Sequence, residues 1–418
     1  MKTLSYKHTA AACYISYITG AVINNLAPLL FVTFSQSFGL SLEQLAKIIT
    51  MNFGIQIIVD FVGAKLADKI GYRPLIIAAQ AFAAAGLASL GTLPRLLDNA
   101  YLGIIISAAL YAVGSGLMEV LISPIIEALP GDAKASSMSL LHSFYCWGQV
   151  LMVVLSTLFF KVFGIQNWHI LCYLWTILPL FTLVYFFFVP INQLGAHAEN
   201  AGGNSQSTDG SHEGVTIGKL MKVGVFWVFM ALMMCSGAAE LSMSQWSSFF
   251  AETELGVSKQ TADILGPCMF AVTMGIARVL FAGLGRKIDI RAALVFSSVL
   301  CVASYLLAAY SPYPILALAG CTLCGFSVGI LWPGVLSLSA KTYPAGGTAM
   351  FAILALAGDA GCFIGPEAVA SASTLLSADG TQSVKTGLSI AIVFPAFILI
   401  SAAILYIRRK RPVNKTSA

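Results

Sequence analysis

Twelve stretches of about twenty or more apolar residues, separated by short connectors, run along this 418-residue chain, and that pattern leaves it few folds to choose from. A helix needs about 20 apolar residues to cross a hydrocarbon core of about 30 Å. The spans are predicted at 9–35, 44–66, 73–94, 100–126, 137–162, 167–190, 219–249, 260–284, 291–310, 313–340, 346–373 and 384–407. Hydrophobic residues make up 58% of the chain and charged residues 10%, against about a quarter charged in soluble domains. The solvent of this chain is lipid, and the fold class is all-α membrane protein. The first stretch is too long for a signal-peptide core, holds Asn24, Asn25 and Pro28, and has no small-residue cleavage site behind it. It is predicted to be the first span.

Orientation follows from lysine and arginine in the connectors. With both ends cytoplasmic, 17 of these residues fall on the inner side and 4 (Arg95, Lys161, Lys259, Lys385) on the outer, with Lys47 and Arg278 inside helices. The prediction is a multi-pass protein of the inner (plasma) membrane with both termini in the cytoplasm. The net charge of +5 then reflects topology, and no nucleic-acid partner is expected. Arg408-Arg409-Lys410-Arg411 anchors the last helix at anionic headgroups. All nine cysteines fall inside predicted spans, where they pack as small apolar residues. Cys321 and Cys324 form a CxxC with no second pair, so neither a disulfide framework nor a metal site is expected. No nucleotide loop, metal-ligand cluster or nucleophile with a base is present, so the chain is predicted to be neither an enzyme nor a cofactor binder.

Residues 193–217 are polar, rich in glycine and serine, and almost free of apolar side chains, as a flexible linker requires. They divide the spans six and six, which suits two related bundles that rock about a central site. The predicted organisation is an N-terminal bundle over 1–192, a cytoplasmic linker over 193–217 and a C-terminal bundle over 218–418. A weak internal repeat agrees with the split. The turn from Gly63 through Lys65, Asp68, Lys69 and Gly71 to Arg73 returns six spans later as Gly275 with Arg278, then Gly283 to Arg291.

The first of these turns, through Gly63, Asp68, Lys69, Gly71 and Arg73, resembles the signature of the major facilitator superfamily. The resemblance implies twelve helices in two six-helix bundles and a gating role for those five residues, whereas topology alone also accounts for Lys65, Lys69 and Arg73. Gly63 permits close helix approach, and Asp68 suits the positive end of a helix. Arg278, in the inner half of the eighth span, is expected to pair with an acid near the cytoplasmic gate, with Asp60 in the same network. Within the superfamily several stretches are similar to the fucose permease-like sugar:proton symporters. These are Gly114-Ser115-Gly116-Leu117-Met118-Glu119 with Pro124, the run from Leu141 to Gly148, Gly237-Ala238-Ala239-Glu240 with Trp246, and Gly325 through Trp332-Pro333. The chain departs from that family at Asn24-Asn25-Leu26-Ala27-Pro28, which lacks the aspartate that fucose permease has just beyond a similar Asn-Asn-Leu.

A charge at bilayer depth costs at least about 2.5 to 3.5 kcal/mol on insertion scales, so a buried acid there needs a partner, a wet cavity or a proton. Glu119, among Gly114, Ser115 and Gly116, is the leading proton-coupling residue; the alternative is a glutamate held by a backbone or hydroxyl partner. Asp359 is the second proton-coupling candidate. It stands eight residues from Glu367, about 12 Å along the helix and within about 80° of one face, and the pair also suits sodium. Glu240, Gln245 and Trp246 follow one another on the seventh span, where carboxylate and amide bind paired hydroxyls and an indole covers ring C–H groups. Trp246 equally fits an interfacial aromatic belt, and Glu240 a vestibule. Asn24, Asn25, Asn52, Gln56, Tyr145, Trp147, Gln149 and Trp332 complete the candidate substrate site with Glu367, on helices that line the cavity in the superfamily the chain resembles. His142 reads as an interfacial histidine.

The function these residues point to is alternating-access uptake of a sugar or similar polyhydroxylated solute, coupled to protons, by a monomer whose partners are that solute, protons and the bilayer. Export of drugs or metabolites and sodium-coupled uptake are the alternatives. Against export, the fourth span lacks an arginine, and the fifth, around Trp147-Gly148-Gln149, lacks a glycine- and proline-rich antiporter signature.

Overall fold

The computed structural model describes residues 4–127, 129, 134–191, 221–284, 288–343, 347–376 and 383–410. Among them every regular element is helical: α1 Tyr6–Leu29, α2 Phe31–Phe38, α3 Leu42–Ile70, α4 Tyr72–Leu96, α5 Ala100–Glu127, α6 Lys134–Phe163, α7 Trp168–Phe188, α8 Gly224–Thr253, α9 Lys259–Asp263, α10 Met269–Leu284, α11 Ile290–Tyr310, α12 Pro314–Thr342, α13 Gly347–Leu375, α14 Val384–Ala391 and α15 Val393–Lys410. Eleven spans are long and apolar enough to cross a membrane, and the bent pair α1 and α2 makes a twelfth. The chain is an all-α membrane protein. The linker expected over 193–217 lies outside the described residues, as do Arg286, Lys287 and Arg411.

Two spans predicted as single helices are broken at prolines. Pro28 has no N–H to donate and crowds the carbonyl four residues back. Behind it the amide of Leu30 bonds to Ala27, and α2 departs at 44° from α1. In the eighth span, Pro267 lies within a π-helical turn, Ile264–Cys268, between α9 and α10. Other boundaries are drawn by caps. At the start of α3 the Ser41 hydroxyl accepts from the Gln44 amide at 3.3 Å while the Gln44 side chain accepts from the Ser41 amide at 3.0 Å. Gly71, at φ +91°, supplies the left-handed residue that lets α4 begin one residue after α3 ends.

Lipid tails are as apolar as leucine, so the helices associate through close fit and buried polar ties. A methyl group on Gly114 of α5 would lie 2.6 Å from the Ala83 nitrogen and 2.7 Å from the Ala79 carbonyl oxygen of α4. On α13, Gly361 touches the Met234 carbonyl of α8. The fully buried Gln80 joins four helices: it donates to Ser16 at 2.9 Å and to the Met118 sulfur at 3.0 Å, and accepts from Thr182 at 2.8 Å. Outward stripes such as Leu151, Val154, Leu155 and Leu158 on α6 stay exposed, as lipid contact allows.

The chain divides into two compact units, Met1–Gly210 with Ser258–Ile264, and Ser211–Val257 with Leu265–Ala418. The short helix α9 belongs to the first unit. Its Lys259 ammonium donates to the carbonyl of Leu29, the last residue of α1, at 2.7 Å, and pairs with the buried Asp263 at 2.6 Å.

Candidate functional site

In the first unit, Asn24 of α1 is the hub of a buried amide cluster. Its side-chain oxygen accepts from Asn52 at 2.9 Å and from Gln56 at 3.2 Å, both on α3, and its nitrogen donates to the Tyr145 hydroxyl of α6 at 3.2 Å. Gln149, one turn beyond Tyr145, is buried too. Asn25, also buried, bonds back to the Ala21 carbonyl of its own helix at 2.9 Å. Trp147 points elsewhere: it is 46% exposed and shares the outward stripe of Leu151 and Leu155.

The polar face continues along α3. Asn52, Gln56 and Asp60 are spaced at i, i+4 and i+8, one above another on the helix. Opposite them, α5 comes close because it carries glycine: a methyl on Gly116 would meet Val59 at 3.0 Å and the Gln56 backbone at 3.1 Å, and one on Gly63 would meet Leu117 at 3.2 Å. Asp60 lies between these two contacts on α3, and Glu119 stands two residues beyond Leu117 on α5. Glu119 is close enough to Asp60, and to Tyr17 of α1, for its carboxylate to act on both when ionised. The Tyr17 hydroxyl shares a hydrogen bond of 3.4 Å with Ser123, one turn beyond Glu119. Glu119 is exposed and Asp60 half-buried, with the Asp60 Oδ1 atom buried and unpartnered among the described residues. Asp60, expected in the gate network, has Glu119 as its acidic neighbour. The spacing on α3 was the sequence signal for this placement.

The second unit carries the remaining acids. Arg278 of α10 pairs with Glu240 of α8 at 3.9 Å, so the arginine expected at a gate meets the acid expected at the substrate. Trp332 of α12 lays its ring against Gly358 of α13, next to the half-buried Asp359, and its indole nitrogen is buried without a partner among the described residues. Trp246 is fully buried rather than belted at an interface. It donates to the Pro366 carbonyl at 3.1 Å and meets Phe249 edge to face, with centroids 5.7 Å apart. Gln245 beside it is buried and Glu367, after Pro366, half-buried.

Of the turn expected to gate, Gly63 packs on α5 and Lys69 is exposed. Arg73 donates to the Phe186, Phe187 and Val189 carbonyls at 2.9–3.0 Å. It thereby satisfies the free end of α7, where a cation also suits the helix dipole. The side chain of Asp68 lies outside the described residues.

The chain as a whole is similar to known proteins. A curated relative, the glucose/mannose transporter GlcP of Bacillus subtilis, is 25% identical over 242 residues, which cover 56% of this chain and 57% of the relative; the chain thus spans little more than half the relative's length. In overall fold the chain is similar to the D-xylose-proton symporter, with a TM-score of 0.75 at 15% identity over 99% of both chains. It is also similar to the fucose:proton symporter FucP of E. coli, with a TM-score of 0.62 at 18% identity over 96% of this chain and 99% of that one. Residues 12–366 match the Major Facilitator Superfamily, which is most of the sequence and takes in the amide cluster, most of both units and the acids other than Glu367. The chain belongs to the Major Facilitator Superfamily, and its family and fold are those of membrane transporters, not of enzymes.

Proposed function

We propose that this transporter takes up a sugar or similar polyhydroxylated solute together with protons. The observation that carries the reading is the composition of one face of the first unit. There a cluster of amides and a tyrosine hydroxyl, chemistry that suits a polyol, continues along α3 into a carboxylate pair, Asp60 and Glu119, with no ion-pair partner among the described residues. Amides and hydroxyls both donate and accept, as sugar hydroxyls do. A carboxylate pair without a cation is a place to hold a travelling proton. The similar proteins, a glucose/mannose transporter and two sugar–proton symporters, point the same way.

In this reading Glu119 carries the coupling proton with Asp60 beside it. Asn24, Gln56, Tyr145 and Gln149 of the first unit bind the solute. Trp147, on the outward stripe, is given no part. The transporter works in the plasma membrane with both ends in the cytoplasm.

Proteoliposomes holding the purified full chain test this, with radiolabelled glucose and mannose as the first solutes. A pH gradient is expected to drive accumulation in the wild type. Glu119→Gln is expected to abolish accumulation against a gradient while leaving exchange of labelled for unlabelled solute. Sugar uptake that ignores both the gradient and the substitution overturns the coupling.

A further inference from the structure

Two atoms of the amide cluster are left without a hydrogen bond. Asn52 is 4% exposed and spends its nitrogen on Asn24, and its Oδ1 atom is buried with no partner among the described residues. Gln149 is 2% exposed, and its Nε2 atom is in the same state. One is an acceptor and the other a donor. Leaving either group unfilled costs a large part of its desolvation, so such atoms in a functional site await something that fills them.

The two atoms belong to side chains on helices that Asn24 joins. Asn52 and Gln56 of α3 and Tyr145 of α6 all touch Asn24. Successive spans alternate in direction, which makes α3 and α6, the second and fifth, antiparallel. Asn52 precedes Gln56 by one turn and Gln149 follows Tyr145 by one turn, which in antiparallel helices is the same direction along the membrane. A single hydroxyl group can donate to one and accept from the other.

We propose that Asn52 and Gln149 together read one hydroxyl of the transported solute, which makes Asn52 a specificity-determining residue. The inference rests on the sugar reading above and sharpens it: the solute needs a hydroxyl at one ring position, and a hydrogen or ether there is rejected. A site built to bond a hydroxyl discriminates strongly against its loss, because the site's own polar groups are then stranded.

The test is competition for uptake by the full chain in proteoliposomes, using glucose and its complete set of monodeoxy analogues. If glucose is not taken up, the same series is built on the first pentose, hexose or polyol that is. In the wild type one analogue is expected to compete about tenfold or more worse than the parent sugar, the worth of one good hydrogen bond. In Asn52→Leu and in Gln149→Leu the parent is expected to weaken about as much, and that analogue alone to lose its handicap; thermal midpoints verify that each variant is folded. Analogue penalties that are the same in wild type and both variants overturn the inference while sugar uptake leaves the broader reading standing. Absence of uptake or binding for every sugar and polyol overturns both.

Discussion

Single residues here act by the hydrogen bonds they can or cannot complete. Glu254, just past α8 and outside the span, shows the completed case: its carboxylate takes the Ser383 hydroxyl at 3.1 Å and the amides of Val384 and Lys385, the first turn of α14. This is a helix cap provided from another helix, with a negative charge at the favourable end of the dipole. Glu254→Ala is therefore expected to cost about 1 kcal/mol, the usual worth of a cap, read as a lower thermal midpoint in detergent. Burial pushes the Glu254 carboxyl above the usual carboxylate range, and the hydrogen bonds and Lys385 pull it only part of the way back. A raised folded-state value means that the fold favours the protonated form. The proton-linked contribution, separate from the cap's hydrogen bonds, is then fully present below the unfolded value and lost as pH rises through the folded one. Midpoints scanned from pH 4 to 8 should fall across that window in the wild type and stay flatter in Glu254→Gln; parallel curves would refute the assignment. The same reasoning, applied to acids inside the spans, separates Asp60 and Glu119, which have each other, from Glu240, which has Arg278.

Elements bring these residues together through their breaks and their small side chains. Because α1 stops at Leu29, its last carbonyls need partners from outside the helix, and Lys259 provides one. Lys259→Met keeps the apolar stem and removes the donor, which is expected to cost about 1 to 3 kcal/mol for the stranded buried groups. A thermal midpoint unchanged by that substitution would show that the contact contributes nothing. Asn52, Gln56 and Asp60 were visible in the sequence as a polar stripe on an apolar helix, and Gly116 as the neighbour of an intramembrane acid. The contact that puts Asp60 beside Glu119 was not visible, since it depends on which faces of α3 and α5 meet. Pro28 and Pro267 were legible as residues that do not sit well in a helix. That the first yields a 44° bend and the second a π turn is a result of packing.

At the scale of the whole molecule, the charge bias of the connectors predicts topology. A C-terminal fluorescent-protein fusion expressed in a bacterium is expected to fluoresce, and an alkaline phosphatase fusion at the same place to stay inactive; the opposite pair of results would reverse the orientation. The number of spans, the helical class and the superfamily were all determined by the sequence alone. Each rests on local quantities: the length of an apolar run against the thickness of a bilayer, the sign of a loop, and a short glycine-containing turn. Partnership was decided only by the tertiary structure. It joined Asn24 to Asn52, Gln56 and Tyr145, gave Arg278 to Glu240 and Arg73 to the end of α7, and turned Trp147 outward while burying Trp246. The reason is physical: a polar residue in an apolar helix must bond to something, but a sequence fixes only that need, and the neighbour that meets it depends on how helices far apart in the chain rotate and cross.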